Sequence, residues 1–208
     1  YSNLNGVRFW TTTFIFFYSL NQYLNYNKNK WLILIFSTIL FHYSFALPII
    51  IVLVYLFFKD RHNLYWYIFL GSISGLFVDL PNLVSNIPFI SDTIYAIKLE
   101  SYTNREYSTE INELLDSAST KYIFYTYFPK IYSLIIIFII KNNINKIRKD
   151  ILTNKIYSIT LLLFSLSNLL YSIPSMGRFY TLSTMFMFYL LFKVYNFNRT
   201  KMWKIVIL

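Results

Sequence analysis

Long apolar runs alternate along this chain with short basic turns, and one long polar stretch divides them. The runs lie at about Val7–Tyr26, Trp31–Phe58, Leu64–Leu80, Tyr122–Ile140, Ile156–Ile173 and Phe179–Tyr195. They predict an all-α bundle of membrane helices. Basic turns follow at Asn27–Lys30, Lys59–His62, Lys141–Lys155 and Asn196–Lys204. Residues 81–121 are the polar stretch, with Asp92, Glu100, Glu106, Glu110, Glu113 and Asp116. A short helix capped by Ser108 or Thr109 is expected there, and the stretch reads equally as a lid or as an inert connector.

The run Trp31–Phe58 is the unusual one. Its halves, Trp31–Leu40 and Ile49–Phe58, are each shorter than the roughly 20 residues a span requires. As one helix it would run about 42 Å, against a hydrocarbon core of about 30 Å. Pro48 lacks an N–H and clashes with the carbonyl of residue 44. A broken element is therefore expected, with His42 and Ser44 at its break. Val7–Tyr26 carries Arg8, Thr12, Ser19 and Gln22 near one helical face, which should meet protein or water rather than lipid. Gly71–Gly75 is a small-residue run that permits close helix contact. Pro129-Lys130 is expected to interrupt its segment, and 174–178 to form a tight turn.

Composition strengthens the membrane reading. The chain is 56% hydrophobic, 22% aromatic and only 13% charged. Its net charge of +10 sits in the turns, which suits the positive-inside rule better than nucleic-acid binding. The absence of cysteine excludes disulfides, thiolate metal sites and cysteine nucleophiles. Neither Tyr1 nor the apolar end Lys204–Leu208 looks like a natural terminus, so the chain is expected to be a piece of a longer single transmembrane domain, 1–208, with an external loop at 81–121.

Charge then orders the segments. With 141–155 on the cytoplasmic side, 174–178 is outside, 196–204 inside, 81–121 outside and Lys59–Arg61 inside. Lys28 and Lys30 fall inside only if Trp31–Phe58 is a hairpin bent at 42–48. The consequence is that Arg8, His42, Asp79 and Arg178 all reach the external ends of their segments. Each has a bland reading as well. Either arginine alone is equally a snorkelling anchor, and His42 alone is more often a packing residue. Asp79 also serves as a cap of the polar loop, and Lys130 also reads as a side chain snorkelling past Pro129.

Two guanidiniums near a membrane surface suit phosphate oxygens, because the donor fork matches them and the charge is permanent. A histidine between them is placed to take a proton from a hydroxyl. Sugar transfer from a lipid diphosphate needs both functions. The chain has no Asp-x-Asp pair and no Gly-rich phosphate loop, so neither a metal nor another cofactor is expected.

The run Gly6-Val7-Arg8-Phe9-Trp10, followed by Leu40-Phe41-His42-Tyr43-Ser44-Phe45-Ala46-Leu47, resembles the EpsG-type branch of the Wzy-like bacterial polysaccharide polymerases. Gly177-Arg178-Phe179-Tyr180 is similar to that family's later arginine segment. The resemblance implies a multi-pass protein of the bacterial cytoplasmic (inner) membrane. Such a protein joins undecaprenyl-diphosphate-linked repeat units of O-antigen, capsule or exopolysaccharide on the external face, alongside other polysaccharide export proteins. On this reading Arg8 and Arg178, with Lys130, bind the diphosphate. His42 is the catalytic base or orients the acceptor, and Asp79 is the alternative base. The rival readings are an O-antigen ligase with the same donor, a transporter or flippase built on broken helices, and a scaffold with no site of its own.

Overall fold

A computed structural model of the protein describes residues 2–59, 61–76, 120–143, 150–171 and 177–196. Among the described residues there are seven α-helices and no strand. They are α1 (Ser2–Tyr26), α2 (Asn29–Phe41), α3 (Ala46–Phe58), α4 (His62–Ser72), α5 (Thr120–Asn142), α6 (Ile151–Leu169) and α7 (Arg178–Asn196). Short 3₁₀ turns at Tyr43–Phe45 and Ile73–Leu76 follow α2 and α4.

The all-α expectation holds. The membrane bundle is a separate matter: among the described residues no helix is long and apolar enough to cross a membrane. α2 and α3 hold 13 residues each, about 20 Å of helix. The longer α1 and α6 intersperse serines, threonines and asparagines with their apolar residues.

The expected hairpin forms, with its break just ahead of Pro48. The break falls at His42, whose extended backbone (φ −153°, ψ 110°) separates α2 from the 3₁₀ turn. α3 starts two residues before Pro48, in the first helical turn, where a missing N–H has no partner to lose. Pro129 likewise lies inside α5 rather than interrupting it. α6 begins at Ile151, within the stretch expected to be a basic loop. Asp150 explains this: its carboxylate accepts from Leu152 N–H (3.2 Å) and Thr153 N–H (3.3 Å) and caps the helix. The expected 81–121 loop lies outside the described residues, except that Thr120 and Lys121 already belong to α5.

The helices alternate in direction. α1 and α2 are antiparallel, with Phe9 beside His42 at one end and Tyr18 beside Trp31 towards the other. α3 leaves Phe45 at the Arg8 end and reaches Lys59 at the opposite end, where Lys155 donates to the carbonyl of Leu24 (3.3 Å). α4 runs beside α6 in parallel, pinned by His62–Ser158 (2.6 Å) at one end and Asn168–Ser72 (3.1 Å) at the other. Gly75 lets this pair close: a Cβ there would meet the carbonyl oxygen of Asn168 and the Cα of Leu169 at 3.0 Å each. α6 is buried along most of its length, and α7 returns antiparallel to it through Ser167–Ser183 (2.8 Å).

Candidate functional site

Phe9 is the centre of one end of the bundle. It is 2% exposed, and three rings from other elements close on it: His42 at 5.4 Å, Phe45 at 5.5 Å and Phe179 at 5.9 Å. Phe45 also meets Phe16 and Phe179. This aromatic plug joins α1, the α2–α3 break and the start of α7. Each charged residue is then carried by a buried neighbour. Arg8 precedes Phe9, Arg178 precedes Phe179, and both arginines are exposed while both phenylalanines are buried.

The Arg178 guanidinium carbon lies 5.6 Å from the Phe9 ring centroid, a cation–π distance. Arg178 is the first residue of α7. A cation at a helix N-terminus works against the helix dipole, so helix stability does not account for it. Among the described residues Asp150 is the only acidic one, and it caps α6 at the opposite end.

His42 lies in the break, outside the helices. Its backbone N–H donates to Thr38 O (3.1 Å), and its carbonyl accepts from Phe45 N–H (3.0 Å). These bonds fix where the ring leaves the chain. Nδ1 lies 2.6 Å from Ser44 Oγ. When Nδ1–H donates to that hydroxyl, Nε2 keeps its lone pair and can accept a proton. Burial, then the charges of Arg178 and Arg8, hold the imidazole below the usual histidine pKa. All three effects favour the neutral ring at neutral pH, the form a base requires.

The structure therefore brings Arg8, His42 and Arg178 together. Lys130 reaches the same end of the bundle, where Tyr180, two residues after Arg178, donates to the Pro129 carbonyl (2.6 Å). Its ammonium stands over the Tyr171 ring, 3.3 Å from the centroid, and it is not among the charges that shift His42. Asp79 lies outside the described residues. Sequence reasoning missed the phenylalanine plug and the Ser44–His42 bond. The trace was present as an Arg-Phe pair at both places and a serine two residues after the histidine.

The sequence model of the EpsG family matches residues 1–208. The chain belongs to the EpsG family. Membership implies a part in polysaccharide biosynthesis and a general association with membranes. No curated protein and no solved structure matches the chain. Both arginines and the histidine lie in the three stretches that first suggested this family.

Proposed function

We propose that this EpsG-family chain is a membrane glycosyltransferase, a polysaccharide polymerase acting on oligosaccharide carried by undecaprenyl diphosphate. The observation that carries the reading is the cluster: two exposed arginines from α1 and α7 flank one half-buried histidine in the α2–α3 break, and their charges lower its pKa. The acceptor hydroxyl oxygen forms the new bond to the anomeric carbon of the donor sugar. The bond from that carbon to the diphosphate breaks, and its electron pair leaves with the lipid diphosphate. His42 takes the hydroxyl proton, and Arg8 and Arg178 stabilise the charge that grows on the departing phosphate. Ser44 is a positioning residue that holds the imidazole.

Membrane insertion belongs to the same proposal. Its support is the outer surface. Val7, Phe14 and Tyr18 on α1, Ile50, Leu53 and Phe57 on α3, and Phe188 and Phe192 on α7 are all exposed, at helical spacing. Bands of apolar side chains this extensive call for a nonaqueous neighbour. The Arg8 end would face outside and the lysine-rich end the cytoplasm.

The test is the polysaccharide ladder of cells making full-length protein with Arg8→Ala, His42→Ala or Arg178→Ala at wild-type membrane level. The ladder should collapse to single repeat units in both arginine variants and lose at least about 100-fold of its polymer in His42→Ala, as removal of a general base predicts. A wild-type ladder in either arginine variant contradicts the proposal. Full-length chains left unattached would move it to a ligase.

A further inference from the structure

Beside the charged cluster the protein exposes two aromatic rings that the transfer chemistry does not use. Tyr43 is 70% exposed and Trp10 is 43% exposed. The Tyr43 ring lies almost parallel to the His42 imidazole, at 15° and 5.5 Å between centroids. Trp10 stands edge-on to Phe9 at 5.9 Å, and Phe9 stands edge-on to His42. Phe9 thus links Trp10 to the imidazole, and Tyr43 meets the imidazole directly.

An aromatic face carries partial negative charge. The axial C–H bonds on one face of a pyranose are polarised the other way, so the two flat surfaces stack. Resting on the glycosyl-transfer reading above, we propose that Tyr43 and Trp10 form a sugar subsite for the acceptor oligosaccharide. His42 already covers the inner face of Tyr43, so a sugar stacks on the outer face, across the phenol ring from the imidazole. That sugar is not the one whose hydroxyl reacts. It is a neighbour further along the acceptor, and holding it sets which hydroxyl reaches His42. Exposed Tyr and Trp also serve as anchors at a membrane interface. Anchoring alone gives a ring no contact with a lipid-free sugar, whereas stacking does, so binding of such a sugar separates the two.

The experiment uses full-length protein in nanodiscs and the host's own repeat-unit oligosaccharide, freed of both lipid and phosphate. Calorimetric titration is run on wild type, Tyr43→Phe, Tyr43→Leu, Trp10→Phe and Trp10→Leu, with melting temperatures checked. Wild type and both phenylalanine variants should bind alike. Each leucine variant should bind about two- to tenfold more weakly, the range one aromatic contact supplies. Wild-type binding in both leucine variants, equal losses in the phenylalanine and leucine variants, or no binding by wild type would overturn the subsite. The probe neither carries diphosphate nor reacts, so this result stands or falls separately from the transfer reading.

Discussion

At the scale of single residues, His42 is defined by what surrounds it. The ring is half-buried, held by Ser44 at Nδ1 and charged from outside by Arg178 and Arg8. Its folded pKa is therefore below the unperturbed value of about 6.5. The sign follows. Above that lowered pKa the ring is neutral; as pH falls through it, the ring protonates, and the proposed base role predicts that the rate falls with it. Folding stability contributed by the neutral ring is lost in the same direction, because the unfolded chain takes up its proton first. The chain has two histidines, so ¹⁵N titration of labelled protein resolves this one. Expected are a His42 midpoint below about 6.5 in wild type and an upward move in Arg178→Gln. An unmoved midpoint in that variant would show that the guanidinium does not act on His42. Sequence alone made the three residues candidates, through charge topology and family resemblance. It did not show that Phe9 and Phe179 hold the arginines in position, because an aromatic beside an arginine is unremarkable in a chain that is 22% aromatic.

At the scale of elements, the runs were legible and their ends were less so. Apolar length marks where a helix must lie, but caps and prolines set its limits. Asp150 moved the start of α6 into an expected loop, because one carboxylate satisfies two free N–H groups of the first turn. Pro48 lies in the first turn of α3, where its missing N–H costs nothing, and the chain leaves the α-helical path ahead of it, between Phe41 and Ala46. The small-residue run was read correctly as a contact, yet only part of it is one. Gly75 faces α6 backbone at 3.0 Å, whereas nothing lies within 4 Å of a Cβ added at Gly71. Gly75→Ala should therefore destabilise the protein by about 1–3 kcal/mol. Gly71→Ala, inside α4, should be neutral or stabilising by up to about 1 kcal/mol. Thermal melts of the two variants in the same detergent check the pair. Equal melting temperatures would contradict the packing of α4 on α6.

At the scale of the whole molecule, a mainly apolar core takes in several hydroxyl side chains, while large apolar side chains also lie on the surface. Thr12, Thr13, Ser19, Thr38, Ser158 and Ser183 are fully buried, and each donates to a carbonyl of the preceding turn. Such side chains can sit inside without unpaired hydroxyls, while Leu40, Phe57 and Phe192 face outward. Charge is divided between the two ends. Lys28, Lys30, Lys59, Arg61 and Lys155 collect where α1, α3 and α6 meet, and Arg8 and Arg178 stand at the other end. This division was legible in the sequence because lysine-rich turns alternate with apolar runs. The hairpin at His42 was legible because no other path kept Lys28 and Lys59 at one end.

The proposed chemistry has the Arg8–His42–Arg178 end join sugars while expelling a lipid diphosphate. The most direct measurement uses purified full-length protein in proteoliposomes with the host's lipid-linked repeat unit, following chain growth and released undecaprenyl diphosphate together. Wild type should release one diphosphate for every repeat unit joined, and both signals should fall together in Arg8→Ala and Arg178→Ala. Chain growth without diphosphate release, or undiminished growth in the arginine variants, would contradict the account.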